Sequence, residues 1–257
     1  MGIGINRKPT AFITGATSGI GLATAKLFAS NRINLVICGR RKKRLNELKK
    51  ELSRHARVFV LEFDVRNKEA VFGAIASLPE EFSNIDILIN NAGLARGLDY
   101  VHEGQIEHWE EMIDTNIKGL LYVSKVVSNW MVKRRQGHII NLGSIAGKET
   151  YQNGNVYCAT KHAVDSLNKA MRIDLLPYGI RVTGIHPGAV ETEFSEVRFK
   201  GNTTRAKQVY EGFEPLKAED IAETIWFAIS RPAHVTINDL IIMPTAQAST
   251  SHLERKL

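Results

Sequence analysis

A serine, a tyrosine and a lysine lie within one short stretch of this chain, at Ser144, Tyr157 and Lys161. Tyr157 and Lys161 are four residues apart, a spacing that on a helix puts phenol and ammonium on one face. A phenol titrates near pH ~10, so it is a poor acid or base at neutral pH. A fixed cation beside it favours the phenolate and lowers that pKa. A serine hydroxyl nearby would hydrogen-bond a carbonyl or alcohol oxygen, so the trio suits moving a proton on and off an oxygen. A Tyr–Lys pair at this spacing also occurs on plain solvated helix faces. The surrounding chain decides between the two.

These residues must be positioned by the elements around them, and the pattern of the chain alternates. Short apolar runs at 11–14, 33–38, 57–63, 85–89, 138–142, 181–185 and 239–243 read as strands. Helical segments are expected at 21–30, 41–54, 68–78, 106–117, 120–135, 156–176 and 218–230. Strands that are apolar on both sides, separated by helices, imply a parallel sheet covered on both faces. No Pro/Gly/Ser-rich linker or internal repeat divides the chain, so a single α/β domain over residues 1–257 is expected. Residues 193–213 are polar and without clear period, and follow a strand end. A loop of that length is commonly a functional lid. The tail beyond Pro244 is polar and is expected to be loosely ordered or engaged with another subunit.

The first strand runs into Thr14-Gly15-Ala16-Thr17-Ser18-Gly19-Ile20-Gly21 and then into a helix. Glycines at a first strand-to-helix turn let the backbone turn tightly and let a pyrophosphate approach the positive end of the helix. An NAD site usually places an acid at the end of the second strand, to hold the ribose 2′-hydroxyl. Here that strand ends Cys38-Gly39-Arg40-Arg41. A carboxylate would repel a 2′-phosphate, whereas guanidinium groups bind it with charge-assisted bonds, so the reading is NADP(H). The alternative is that the basic run merely opens a solvated helix. At the carboxyl edge of the sheet, Asp64-Val65 and Asn90-Asn91-Ala92-Gly93 suit close contact with the same cofactor.

Composition bounds the rest. The chain has 257 residues, 44% hydrophobic and 24% charged, the proportions of an ordinary soluble globular protein. No apolar run approaches the ~20 residues that span a bilayer, so no membrane partner is expected. The first ten residues lack the apolar segment of a secretory signal, which makes the cytoplasm the expected location. Two distant cysteines, Cys38 and Cys158, make a disulfide framework unlikely. The histidines show no metal-ligand spacing, so no catalytic metal is expected. The net charge of +7 sits in basic runs with no interleaved aromatics, and no nucleic-acid partner is expected.

The combination of TGATSGIG (14–21), NNAG (90–93), Asn116, Ser144 and YCATK (157–161), with Pro187-Gly188 and Thr192, resembles the short-chain dehydrogenases/reductases. The match covers about residues 10–245. The resemblance implies a Rossmann-like doubly wound parallel sheet of about seven strands, NADP(H), a small-molecule substrate and a homotetramer. It implies Tyr157 as general acid/base, Lys161 as the residue that lowers its pKa and holds the nicotinamide ribose, and Ser144 as the orienter of the substrate oxygen. Asn116 would hold a water in a proton relay. Gly15, Thr17, Ser18, Gly19, Ile20, Gly21, Arg40, Arg41, Asp64, Val65, Asn91, Ala92, Gly93, Pro187, Gly188, Val190 and Thr192 would line the cofactor. More narrowly, residues 143–161, 195–201 and 232–247 resemble the NADP-dependent 3-hydroxy acid dehydrogenases, which act on serine, allo-threonine and 3-hydroxypropionate-type substrates. Sulfoacetaldehyde reductases look similar. For such an acid, Lys148, Arg198 and Lys200 are candidate carboxylate or sulfonate partners, with Ser144 at the reacting oxygen. The rivals are a broad carbonyl or 3-oxoacyl thioester reductase, and a dinucleotide-binding sensor or scaffold without turnover.

Overall fold

A computed structural model describes residues 7–256; the first six residues, part of the segment read for a secretory signal, and Leu257 lie outside it. Seven strands form one all-parallel sheet: β1 (Thr10–Ile13), β2 (Asn34–Gly39), β3 (Val58–Glu62), β4 (Ile87–Asn90), β5 (Gly137–Leu142), β6 (Ile180–Pro187) and β7 (Asp239–Ile242). Their order across the sheet is β3-β2-β1-β4-β5-β6-β7. The order reverses direction between β1 and β4, which is where doubly wound sheets bind ligands, beyond the carboxyl ends of the strands. The expected fold class is therefore the observed one.

The strands are apolar on both faces because helices cover both, and side chains alternate across the sheet with period two to meet them. Ile13, Leu35, Ile37, Ile87 and Ile89 point to one layer, where they meet α1 (Gly19–Ser30), α2 (Lys42–Leu52) and α10 (Ala218–Ile229) through Phe28, Leu45 and Ile225. Phe12, Val36, Cys38, Leu88 and Ile139 point to the other, where Val71 and Ile75 of α3 (Lys68–Ala76) and Val123, Val127 and Met131 of α6 (Leu120–Arg134) cover them. Each of these wholly buried side chains contributes about 1.5–3 kcal/mol relative to exposure. Cys38 belongs to this packing; burial pushes its thiol up to about 12, so it is inert at neutral pH.

Three elements differ from the expectation. A short helix, α4 (Glu80–Ser83), precedes β4. The two helices expected at 106–117 and 120–135 are one rod, in which α5 (Ile106–Ile113) passes through a π-helical turn, Asp114–Gly119, into α6. Residues 193–213, expected as a loop, contain α8 (Glu193–Arg198) and α9 (Thr203–Gln208). Thr192 and Asn202 start these helices: their side chains accept from the amides of Phe194 and Arg205. Those caps sit among polar residues with no apolar period, which is why the pattern read as loop.

The tail is ordered against its own chain rather than loose. Gln247 Oε1 accepts from the Ala189 amide at 2.8 Å, and Thr250 donates from its amide to Glu149 at 2.9 Å. The Lys256 amide donates to Gly212 O at 2.7 Å. Glu149, in the loop after β5, is thereby an anchor for the tail. No helix among the described residues is long and apolar enough to cross a membrane.

Candidate active site

One cleft of about 530 Å³ opens along the carboxyl edge of the sheet. At one end lies the glycine turn between β1 and α1. Gly15 takes φ +66°, and a Cβ on Gly21 would stand 2.4 Å from Asn91 Nδ2 and 2.5 Å from Gly15 O. Gly21 does not line the cleft: its place is the packing of α1 onto the turn, where only a hydrogen fits. Asn91 clasps the same turn, donating from Nδ2 to Thr14 O (2.8 Å) and Gly15 O (3.2 Å). Ser18, at the head of α1, makes no side-chain cap and the first turn carries no acid. The amides and dipole of that helix end thus face the cleft without a protein anion to satisfy them.

Arg41 is strung across this end. It donates from Nε and Nη2 to Thr17 Oγ1 (3.0 and 2.7 Å), from Nη2 to Ser18 Oγ (2.7 Å), and from Nη1 to Glu193 (2.8 Å). Arg40 is half exposed and lies 3.6 Å from Asp64. Burial pushes the Asp64 carboxyl up, but hydrogen bonds from Arg66 and the charges of Arg66 and Arg40 outweigh it and hold Asp64 below the usual range. Thr17, Ser18, Gly19, Ile20, Val65, Ala92, Gly93, Pro187, Gly188, Val190 and Thr192 line the cleft with Gly15, Arg40, Arg41, Asp64 and Asn91.

The other end holds the trio. Ser144 ends the strand-to-turn passage after β5 in extended conformation and caps a 3₁₀ turn, Ile145–Gly147, by accepting from the Ala146 amide at 3.1 Å. That turn packs directly on α7 (Asn155–Leu175): a Cβ on Gly147 would meet Lys161 O at 2.5 Å. The contact fixes Ser144 against the helix carrying Tyr157 and Lys161. Both of those side chains are buried in the protein yet line the cleft. Lys161 Nζ donates to Leu142 O at 2.9 Å and lies 6.0 Å from the centre of the Tyr157 ring. Burial lowers the Lys161 ammonium to about 8.

The Tyr157 phenol departs from expectation. Burial, reinforced by Tyr151, pushes it well above its ordinary value, and the opposing pull comes from Ser144 and Arg198 rather than from Lys161. In this arrangement the phenol stays protonated at neutral pH. Asn116 does not line the cleft either. Its amide is spent on Leu94, accepting from N and donating to O at 2.9 Å each, and on Thr160 Oγ1 at 3.0 Å. The Asn116 side chain is thus occupied within the protein and leaves no free donor or acceptor pointed into the cleft to hold a relay water.

The three candidate carboxylate partners separate. Arg198, in the last turn of α8, lines the cleft; its guanidinium carbon lies over the Tyr151 and Tyr157 rings, and its Nη2 donates to Tyr151 Oη at 2.9 Å. Lys200 follows α8 at φ +51°, exposed and away from the cleft. Lys148 is turned away too: its ammonium lies 2.6 Å from Asp165 and 3.7 Å from Asp239, both facing the buried His186. Asp165, His186 and Asp239 cluster closely enough to suggest a metal site, but the Lys148 ammonium already supplies the cation there. The charged pair Lys148-Glu149 thus anchors the serine loop to α7, β7 and the tail.

Sequence reasoning missed Tyr151, Phe194, Tyr210 and Phe213, and from the tail Gln247, Thr250, Leu253 and Arg255, all of which line the cleft. The only local signal was for Tyr151, which lies between Ser144 and Tyr157 in the same stretch.

A glycine turn at the sheet's switch point, with Ser, Tyr and Lys meeting in the same cleft, defines a dinucleotide-dependent oxidoreductase architecture. The sequence matches the short chain dehydrogenase family over residues 9–203, and the chain belongs to that family. It is 46% identical over 237 residues to an NADP-dependent 3-hydroxy acid dehydrogenase of Escherichia coli strain K12, covering 92% of this chain and 95% of that one. Its identity with an NADP-dependent 3-hydroxy acid dehydrogenase of Schizosaccharomyces pombe is 43% over 250 residues, 96% of each chain. A solved structure of serine dehydrogenase in its closed form, complexed with NADP+, superposes with a TM-score of 0.90 at 44% identity, over 96% of this chain and 100% of that chain.

Proposed function

We propose that the protein interconverts a short 3-hydroxy acid and its carbonyl counterpart with NADP(H). The observation that carries this reading is the position of Arg198, a fixed guanidinium beside the Tyr157 phenol in a cleft whose far end holds Arg40 and Arg41. One cation at the reacting end suits a substrate carboxylate, and a pair at the other suits a 2′-phosphate. The cleft residues fit the cofactor: the head of α1 lacks an anion of its own, and the Gly15 turn and Gly21 contact leave the backbone open to a pyrophosphate. Gly15, Thr17, Ser18, Gly19 and Ile20 would hold the diphosphate, Asp64 and Val65 the adenine, Asn91 its ribose side with Ala92 and Gly93 beside it, and Pro187 to Thr192 the nicotinamide end. When bound, NADPH supplies the hydride.

In the reducing direction Tyr157 gives its phenolic proton to the substrate oxygen, while Ser144 Oγ donates a hydrogen bond that orients that oxygen. Ser144 can do so while still accepting from the Ala146 amide, since its hydroxyl hydrogen remains free to donate. Ser144 and Arg198 favour the phenolate left behind, and the Lys161 ammonium, 6.0 Å from the ring centre, adds a second positive charge in a dry site. Arg198 holds the carboxylate and thereby turns the carbon bearing oxygen toward the phenol. In the oxidising direction the same groups act in reverse, with the phenolate as base. The free, buried cysteines suit a reducing compartment such as the cytoplasm. Exposed Leu121, Ile173 and Leu176 suit burial between copies in a homotetramer.

Initial rates with NADP+ and NAD+ on serine, allo-threonine, 3-hydroxyisobutyrate, 3-hydroxypropionate and a plain secondary alcohol test the reading. Oxidation of the hydroxy acids with NADP+ preferred is the expected result. Activity confined to the plain alcohol would remove Arg198 from substrate recognition and reopen the broad carbonyl reductase reading.

A further inference from the structure

The start of α2 is electrostatically inverted. A helix N-terminus favours acids, yet Arg41, Lys42, Lys43 and Arg44 occupy this one and its first turn has no acid at all. An anion from elsewhere must serve it, and Glu193 does. The Glu193 carboxylate bridges Arg41 Nη1 at 2.8 Å and Arg44 Nη1 at 2.6 Å. Glu193 is the first residue of α8, the helix whose other end carries Arg198. It lines the cleft together with Arg41. Burial pushes the Glu193 carboxyl up, but the two arginines more than compensate and hold it below its usual range, so it is charged.

We propose that Glu193 is a built-in competitor for the 2′-phosphate, a selectivity residue that occupies the outward donors of Arg41 and Arg44 until a 2′-phosphate takes them over. The inference rests on the NADP(H) reading above. Arg41 already spends its other donors on Thr17 and Ser18, so its outward Nη1 is the donor that a phosphate and Glu193 would share. A 2′-hydroxyl, uncharged, has no cause to displace the carboxylate. The residue therefore weakens NADP(H) binding and leaves NAD(H) binding untouched, so it narrows the preference between the two.

The test uses 2′,5′-ADP and 5′-AMP, probes that differ in the 2′-phosphate and lack nicotinamide. Calorimetric titration should show Glu193→Gln binding 2′,5′-ADP roughly three- to tenfold more tightly than wild type, the range of two exposed ion pairs, with 5′-AMP unchanged. Equal or weaker binding of 2′,5′-ADP by Glu193→Gln would overturn the inference and make Glu193 a support that aims the arginines. Wild-type protein that does not distinguish the two probes would overturn the NADP(H) reading itself, and the inference with it.

Discussion

The guanidinium carbon of Arg198 lies 5.5 Å from the centre of the Tyr157 ring, so the proposed acid of the site has a fixed cation on its lid side. Lys161, four residues along the same helix, stands 6.0 Å from that centre and is tied to Leu142. Two cations thus face the phenol from different elements. Arg198 is itself tied to Gly97 O at 3.0 Å and to Tyr151 Oη at 2.9 Å.

From this comes the first prediction. Arg198→Ala should raise KM for a 3-hydroxy acid about 10- to 100-fold, as expected for a lost charge-assisted hydrogen bond of about 1.5–3 kcal/mol. Activity on a plain secondary alcohol should change little, and the ratio of the two substrates is the readout. A parallel loss on both would assign Arg198 to the lid's structure alone.

The second concerns pH and the direction of reaction. Because burial and Tyr151 keep the Tyr157 phenol protonated through neutral pH, carbonyl reduction should be nearly flat there. Alcohol oxidation needs the phenolate and should rise with pH across the same range. Tyr157→Phe should abolish both while NADP+ titration remains near wild type. An oxidation rate that fell with rising pH would contradict the assignment.

A third follows from the buried ammonium of Lys161, lowered from 10.5 to about 8. The unfolded chain then holds the extra proton between those values, so stability rises with pH across that window. The burial penalty is complete below about pH 8 and relieved toward 10.5. Urea unfolding at stepped pH should show wild type gaining on Lys161→Met by on the order of 3 kcal/mol over the window. Parallel curves would mean the ammonium is better solvated than its surroundings indicate.

Lys148 supplies the fourth. Lys148→Met should lower stability by about 2 kcal/mol, less than the loss of a fully buried pair, because Lys169 still serves Asp165 at 2.7 Å. kcat should fall as the Ser144 turn loosens, with KM for the hydroxy acid unchanged. A raised KM would restore Lys148 as a substrate ligand.

The legible parts of this protein were those written in consecutive residues. The glycine turn, Arg40-Arg41 and the Ser144–Lys161 stretch each declare themselves over a few positions, because a strand end, a turn and a helix start follow one another directly. What closes the cleft was not legible. Thr250 meets Glu149 across a hundred residues, and Glu193 meets Arg41 across more than that. Nothing in a polar tail or an aperiodic lid marks its partner. Lys148 shows the converse error: a cation directly after the Ser144 turn looked available, but Asp165 and Asp239, brought in by α7 and β7, had claimed it.

The π-helical turn between α5 and α6 closes a wider ring than an α-helix does, and such turns are intrinsically rare. Deleting one residue within 114–119 would let the rod run through as continuous α-helix, a local improvement by any measure of backbone regularity. It would also swing the upstream side chains by about 100° relative to α6 and carry Asn116 off Leu94 and Thr160. The irregularity is therefore a register setting between two halves of one helix. A redesign that optimised this helix for its own sake would mend the rod and dismantle the wall behind Lys161.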